Sequence, residues 1–272
     1  MAVQVSQQLM RLVGETRYEP TPKRIRALVG GEVVVDSTGA VLVWEPRRVV
    51  PSYAVPVADV HGELVPAPDA DTPGHPVRLG PGSPAVYDPS TGFGLHTAEG
   101  EALTLRTTGG EREGAAFRPS DPDLARYVVL DFGAFDTWLE EDEEVVSHPR
   151  DPFHRVDVRR SSRHVRIERD GHVLAESARP SLVFETALPV RTYLPPDDVR
   201  LDLLAPSPTR TACAYKGQAS YRSFGLVPDV AWTYERPLPD AVELAGLVAF
   251  FDERVDVTVD GHKLDRPLTP WS

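Results

Sequence analysis

Short runs of apolar residues, many of them β-branched, alternate with turn residues along most of the chain. The clearest runs lie at residues 25–29, 32–36 and 41–45, and Gly30 with Gly31 separates the first two. A pair of glycines between two β-branched runs is typical of a β-hairpin. The pattern therefore predicts antiparallel strands from the start of this region.

The pattern of residues 25–56 returns 140 residues later in constant register. The positions that agree include an aromatic-Glu pair and a Tyr-x-x-Pro segment, namely Trp44-Glu45 with Phe184-Glu185 and Tyr53 to Pro56 with Tyr193 to Pro196. Self-similarity over such a length indicates duplication of one β unit. Residues 153–158 also resemble residues 251–257, which predicts that each half closes with a similar strand.

Together these patterns predict a mainly β fold of two tandem homologous antiparallel domains, sandwich-like or barrel-like, with one short helix in the second, at residues 241–245. The 27 prolines support this fold class, because proline interrupts helices and central strands. We predict an N-terminal arm at residues 1–21, a first domain at 22–158 and a second domain at 159–272. Proline-rich and glycine-rich pieces mark a loop-rich insertion in the first domain, at about 61–125.

Charge and cysteine content narrow the possible partners. A net charge of −12 disfavours nucleic acid, whose phosphates would be repelled. The single cysteine excludes an internal disulfide and any multi-cysteine metal site, and this fits a reducing compartment. No apolar run is long enough to span a membrane. We expect a cytoplasmic protein that binds neither nucleic acid nor membrane, with its cofactor and oligomeric state open.

The candidate chemistry centres on Cys213, which lies three positions before Lys216 in the segment 211–217. A thiol reacts as its thiolate, and a nearby ammonium lowers the thiol pKa, so these residues are candidate catalytic groups. Residues 213 and 216 point to opposite faces of an extended strand. A turn at Gly217 is needed to bring the ammonium back to the sulfur.

Other polar and aromatic residues of the second half complete a candidate pocket. We expect six of them to contact a substrate: Glu185, Arg191, Tyr193, Tyr215, Tyr221 and Trp232. Arg191 and Tyr193 would orient an anionic or carbonyl group, within aromatic walls.

No metal site is predicted from the remaining acidic residues and histidines. The acidic run at 140–144 is more typical of a solvated edge than of a cation site. His148, His154 and His164 have no spacing that would bring them together on a strand or helix. The motifs of serine hydrolases, P-loop proteins and zincins do not occur.

Five segments of the second half occur in an order that resembles a known family, and they cover roughly residues 162–258. They are residues 165–168, Arg191 to Tyr193, Thr211 to Gly217 with Tyr221, residues 231–234 and residues 246–251. The family is catalogued as domain-of-unknown-function four-two-seven and provisionally tagged nucleotidyltransferase-like. The resemblance implies small, mainly β domains, in a tandem two-copy member. The family often has Cys-Pro where this chain has Cys213-Ala214.

The nucleotidyltransferase tag implies a chemistry for which this sequence lacks the usual residues. That reaction needs a Gly-Ser turn followed by paired aspartates that hold magnesium and triphosphate. The Asp-x-Asp pairs here, such as Asp69 with Asp71 and Asp121 with Asp123, lie in proline-rich loops without a preceding Gly-Ser.

Two functions are therefore open. The first is an enzyme for a small polar substrate, with Cys213 as nucleophile or acid/base and Lys216 lowering its pKa. The second is a non-catalytic small-molecule-binding or scaffold module, in which the thiol is buried and inert. The sequence does not identify the ligand.

Overall fold

The computed structural model describes residues 2–68, 71–79 and 82–271. Asp69, from one of the two aspartate pairs above, lies outside the described residues. The chain divides into two compact units, Met1–Val77 with Pro84–Asp151 and Arg78–Ser83 with Pro152–Ser272. Both units are built almost entirely of antiparallel strands, so the predicted mainly β class is confirmed. No helix among these described residues is long and apolar enough to cross a membrane.

The first part of the chain opens with a short helix, α1 (Val5–Arg11), and continues as strands. These are β1 (Arg17–Pro20), β2 (Ile25–Val29), β3 (Glu32–Ser37), β4 (Val41–Trp44), β5 (Ser52–Pro56), β6 (Glu63–Pro66), β7 (Val77–Arg78), β8 (Ala85–Val86), β9 (Gly100–Thr107), β10 (Gly110–Pro119), β11 (Tyr127–Leu130), β12 (Thr137–Glu140) and β13 (Glu143–Glu144). Short 3₁₀ turns occur at Leu12–Gly14, Val57–Asp59, Pro122–Leu124 and Phe132–Ala134. A seven-stranded sheet has the order β1-β4-β5-β11-β10-β9-β6, and a four-stranded sheet has the order β13-β12-β2-β3.

The second part repeats this arrangement. Its strands are β14 (Val156–Arg160), β15 (Val165–Arg169), β16 (His172–Ser177), β17 (Ser181–Glu185), β18 (Arg191–Leu194), β19 (Ala205–Cys213), β20 (Gly217–Phe224), β21 (Val227–Thr233), β22 (Val248–Phe250), β23 (Asp256–Val259) and β24 (His262–Lys263). The 3₁₀ turns lie at Pro196–Asp198, Leu201–Leu203 and Pro239–Leu244. The sheet orders are β14-β17-β18-β22-β21-β20-β19 and β16-β15-β23-β24.

The two sets of sheets have the same strand order when matched strand for strand. Local details repeat as well. The hydroxyl of Ser37 donates to Asp59 at 2.6 Å, and the hydroxyl of Ser177 donates to Asp198 at 2.7 Å. The similarity between the two halves therefore covers the whole unit, well beyond the 30 or so residues in which the sequence repeat is visible.

One predicted match between the halves is wrong by a residue. Ala54 pairs with Val41, and Tyr193 pairs with Ser181, so Tyr193 corresponds to Ala54 and not to Tyr53. The chain from Val41 to Ala54 is one residue longer than the chain from Ser181 to Tyr193, and a shift of one residue turns a strand's side chains to the other face.

The predicted closing strand at residues 153–158 is also wrong. β14 pairs with β17, just as β1 pairs with β4, so it opens the second set of sheets. The closing strands are β12 and β23, which pair with β2 and β15. The predicted boundary after residue 158 falls inside β14, and residues 17–20 of the predicted arm form β1.

The short helix predicted at residues 241–245 is instead the 3₁₀ segment Pro239–Leu244. Ala241 inside it has φ −138°, which is outside the helical range. Proline at the start of the segment and Gly246 shortly after it leave too few residues for a regular α-helix.

Each unit has a core between its two sheets and a second apolar cluster on the outer face of the seven-stranded sheet. In the second unit, the inner core is formed by residues such as Ile167, Leu194 and Phe250. The outer cluster contains Tyr193, Trp232 and other residues of the same sheet. The candidate site lies on this outer face.

Candidate functional site

A row of side chains crosses the outer face of the second seven-stranded sheet. Cross-strand pairs in antiparallel sheets share a face, and the pairing links five positions, namely Ser181, Tyr193, Ala249, Trp232 and Tyr221. We call Tyr193, Trp232 and Tyr221 the aromatic row. The indole Nε1 of Trp232 donates to the Tyr193 hydroxyl at 3.0 Å, and both residues are buried.

The Tyr221 end of the aromatic row is partly exposed. The Tyr221 ring is nearly parallel to that of Phe251, with centroids 6.3 Å apart and an angle of 9°. Its hydroxyl is 2.7 Å from the hydroxyl of Thr211 on β19. These residues form a partly exposed aromatic pair with hydroxyl groups beside it.

Glu185, at the end of β17, is the centre of a buried ionic cluster. Its carboxylate binds the Lys216 ammonium, and its Oε1 is 3.2 Å from His154 Nε2. The exposed fractions of the Glu185 and Lys216 side chains are 7% and 11%. Burial alone would raise the pKa of Glu185, but His154 and Lys216 together outweigh it and lower this pKa to about 2. The cluster is therefore a buried, hydrogen-bonded ion pair.

A tight turn between β19 and β20 delivers Lys216 to this cluster. Cys213 and Gly217 are paired across the turn, and Gly217 has φ +91°, which favours glycine. Tyr215, within the turn, stacks on His154 with ring centroids 4.4 Å apart. The predicted turn at Gly217 is present, but it carries the ammonium to Glu185.

Cys213 is a free, half-buried thiol at the end of β19. It lies close enough to two tyrosines to affect their titration: burial raises the pKa of Tyr193 and Tyr234, and the charge of a Cys213 thiolate would raise both further. In the part of the chain that the structure describes, no hydrogen bond joins the thiol to Lys216.

Arg191 is also held by a carboxylate. Its guanidinium donates to Glu253 through two bonds, of 2.9 and 2.6 Å, and the Thr269 hydroxyl adds a bond of 2.5 Å to the same carboxylate. Asp252 is 3.7 Å from Arg191, and burial raises the pKa of Asp252 to about 6. The charge of Arg191 is therefore largely neutralised inside the protein.

The predicted site residues thus fall into two neighbouring groups on one sheet face. In the first group, Glu185 binds Lys216 directly and is linked to Tyr215 through His154. In the second group, Arg191 lies beside the aromatic row, 5.9 Å from the Trp232 ring. Tyr193 links the groups, because the charge of Glu185 adds to the effect of burial on its pKa.

The sequence did not indicate that His154 contacts Glu185 or that Glu253 binds Arg191. His154 lies 31 residues before Glu185, and Glu253 lies 62 residues after Arg191, so no local spacing connects them. His154 was considered only as a metal ligand. No group of three or more histidine, cysteine or acidic residues placed to hold a metal occurs within residues 2–68, 71–79 and 82–271.

Comparison with known proteins identifies the second half only. A family model described as "Domain of unknown function (DUF427)" matches residues 157–261. The match does not extend to the first half, although its sheets have the same strand order. A search of curated proteins found no match. The second half of the chain therefore contains one DUF427 domain, at residues 157–261.

Proposed function

We propose that the DUF427 domain of this chain is a small-molecule-binding module whose ligand lies on the outer face of the seven-stranded sheet. The observation that carries the proposal is the ion pair between Lys216 and Glu185. An ammonium neutralised by a buried carboxylate stabilises a neighbouring thiolate only weakly. The arrangement is better suited to a rigid polar site than to activation of Cys213.

The chemistry of this face favours a planar ligand with polar groups at its edge. Tyr221 and Phe251 are nearly parallel, partly exposed rings, against which a planar ligand can pack. The Tyr221 and Thr211 hydroxyls lie at the edge and can exchange hydrogen bonds with carbonyl or amide groups. Two of the nearby cations, Arg191 and Lys216, are already paired with carboxylates. The guanidinium of Arg254, 4.6 Å from the Phe251 ring centre, donates to main-chain carbonyls and can therefore attract a polar or anionic group of the ligand.

One observation supports an enzyme as the second candidate. A purely inert thiol is expected to be buried, whereas Cys213 is half-buried and lies near the Tyr193 and Tyr234 hydroxyls. In an enzyme, Cys213 would act as the nucleophile within this polar surrounding, and Lys216 would orient Glu185 rather than activate the sulfur.

Native mass spectrometry of the purified full chain tests the binding module. We expect a non-covalently bound small molecule that is retained in Cys213→Ser and lost in Tyr221→Ala. Tyr18→Ala is the matched control, because Tyr18 is a partly exposed tyrosine on a strand of the other half. Absence of a bound mass from the unmodified protein, or its equal loss in both tyrosine variants, would argue against the proposal.

Thiol labelling separates the two candidates. If the domain is a binding module, we expect iodoacetamide to label Cys213 of the native protein no faster than the cysteine of an unstructured peptide, at any pH up to about 8.5. Fast labelling of the native protein well below that pH, together with loss of the bound mass in Cys213→Ser, would favour the enzyme.

A further inference from the structure

The second unit contains a small cavity away from the aromatic row. Its volume is about 160 Å³, and it is lined by Pro189, Asp252, Val255, Val257, Leu264, Asp265 and Pro267. Five of these residues are apolar and two are acidic. Cavities for drug-sized ligands measure about 300–1,000 Å³, so this one suits a molecule of a few heavy atoms.

Asp252 is the more deeply placed of the two acids. Its side chain is 18% exposed, and within the described ranges its one ion-pair partner is Arg191, at 3.7 Å. That distance is too long for a hydrogen bond. Arg191 gives its two short bonds to Glu253 instead. The Asp252 carboxylate therefore lines the cavity without a hydrogen-bond donor from the described part of the chain.

The surrounding cations do not fully compensate the two acids. Arg266 follows Asp265 in sequence, but its guanidinium donates to Asp256 at 3.0 Å. Lys263 is likewise 3.0 Å from Asp256. Arg191 is shared between Asp252 and Glu253, and the other two cations bind Asp256, so the charges of Asp252 and Asp265 are not fully neutralised.

We propose that this cavity binds a small organic cation, a primary ammonium carrying a short aliphatic chain. The ammonium is a compact charge with three donors, and it supplies the hydrogen bonds that Asp252 lacks. The aliphatic chain packs against Val255, Val257 and Leu264. A bare divalent cation fits less well, because it requires six or more oxygen ligands and these walls are mostly apolar. The site is separate from the proposed ligand on the aromatic row.

Ligand-observed NMR titrations of the full chain at pH 7.5 and low ionic strength test this proposal. The probes are n-butylammonium chloride, n-butanol and sodium butyrate, which share an aliphatic chain and differ in charge. We expect saturable binding of butylammonium, at least tenfold weaker binding of butanol, and no binding of butyrate. Equal binding of butanol and butylammonium would overturn the proposal, since the acids would then play no part.

Variants of single residues test whether butylammonium binds in this cavity. Asp252→Asn removes a poorly solvated charge and is expected to fold, with at least a tenfold loss of butylammonium affinity. Leu264→Ala should weaken butylammonium a few-fold and leave methylammonium unchanged. Asp197→Asn, which alters an exposed carboxylate of the same unit, is the control. Unchanged butylammonium affinity in a folded Asp252→Asn variant would place the binding elsewhere and refute the proposal.

Discussion

The two halves hold an equivalent glutamate in different ways. Glu45 follows β4 and Glu185 ends β17, and both are buried. The backbone N–H groups of Thr97 and Ala98 donate to Glu45 at 2.6 and 3.1 Å. Glu185 instead binds the ammonium of Lys216. Ala102 on β9 and Tyr221 on β20 are equivalent positions, because they pair with the equivalent residues Phe117 and Trp232. Thr97 and Lys216 precede Ala102 and Tyr221 by the same number of residues and are therefore equivalent as well. One site thus uses a main-chain donor where the other uses a side-chain cation.

The chain segments that lead into β9 and into β20 explain why the two glutamates have different partners. In the first half, a long segment joins β6 to β9 and folds back to place its backbone on Glu45. In the second half, the link from β19 to β20 is a tight turn, from which only a long side chain reaches the carboxylate. A histidine completes each cluster, but His96 follows its glutamate in the chain and His154 precedes it. The second site therefore depends on individual side chains.

The outer faces of the two seven-stranded sheets also differ in the side chains they carry. The matched row in the first half is aliphatic apart from one ring, and it consists of Val41, Ala54, Val129, Phe117 and Ala102. Phe93 and Ala98 from the long connecting segment pack on that face. The fold can thus be built without tyrosines or tryptophan in this row. The aromatic row of the second half is therefore available for a role other than packing.

Lys216→Met should show the largest difference between the two glutamate sites. Removing one partner of a buried ion pair costs up to about 3–5 kcal/mol, and Glu185 would keep, among the described residues, only its contact with His154. Thr97→Val leaves the backbone donors of Glu45 in place and removes one hydroxyl bond to Pro46, at a cost of about 1 kcal/mol. Thermal unfolding of the full chain, followed by calorimetry, measures both changes.

The double variant Lys216→Met with Glu185→Gln is the control for this prediction. It removes both charges and should recover part of the loss, since neither ion is then left unpaired. A Lys216→Met variant no less stable than Thr97→Val would show that the Lys216 ammonium contributes no more to stability than the single hydroxyl bond of Thr97.

The sequence predicted the strands best where their pattern is local. Residues 25–29 and 165–169 are strands as expected, because alternation and a glycine turn specify a hairpin without distant information. The order of strands beyond residue 56 depends on long-range pairing, which a local pattern does not encode. The match of Tyr193 to Tyr53 was wrong for a similar reason, since one additional residue changes the face without changing the motif.

For the site, the sequence indicated the residue types but not their partners. Glu185 and Lys216 were both candidates, but their ion pair spans 31 residues, so no local spacing indicates it. The same holds for Arg191, which was expected to orient a ligand group and whose partner Glu253 lies 62 residues away. A charged residue's role depends on which opposite charge lies nearest in space, and sequence distance does not provide this.

The pH dependence of the free energy of unfolding provides a second test of how Glu185 is held. The pKa of Glu185 falls from 4.5 to about 2 on folding, so its stabilising effect is present above pH 4.5 and is lost as the pH falls towards 2. At roughly 1.36 kcal/mol for each pKa unit, the effect is at most about 3 kcal/mol. Asp252 acts in the opposite direction, because its raised pKa gives stability as the pH falls from about 6 towards 4.

Comparison of the unmodified protein with the Glu185→Gln variant separates the effect of Glu185 on stability from that of Asp252. The unmodified protein should unfold at a higher temperature than the variant at pH 7, and the gap should shrink steadily below pH 4.5. The contribution of Asp252 is common to both proteins and cancels. A gap of constant size between pH 7 and pH 2.5 would mean that Glu185 gains nothing from being ionised in the folded state.

Trp232→Phe converts one position of the aromatic row to the residue found at its counterpart, Phe117. The change keeps most of the ring packing but removes the bond from the indole to the Tyr193 hydroxyl, which is buried. We expect a loss of about 1–2 kcal/mol in the free energy of unfolding. Adding Tyr193→Phe should restore part of it, because no unpaired hydroxyl then remains. Equal stability of Trp232→Phe and the unmodified protein would show that the bond is not needed.

Cys213→Ser should have the smallest effect of all. β6 ends at Pro66, where the first half leaves its sheet, so that half has no strand position equivalent to Cys213. The half-buried thiol makes no hydrogen bond to Lys216 within the described residues. Serine is close in size, so the expected change in unfolding free energy is within about 0.5 kcal/mol. A calorimetric loss above about 1 kcal/mol would mean that the sulfur packs into the aromatic row, and that the two halves differ in packing as well as in polar contacts.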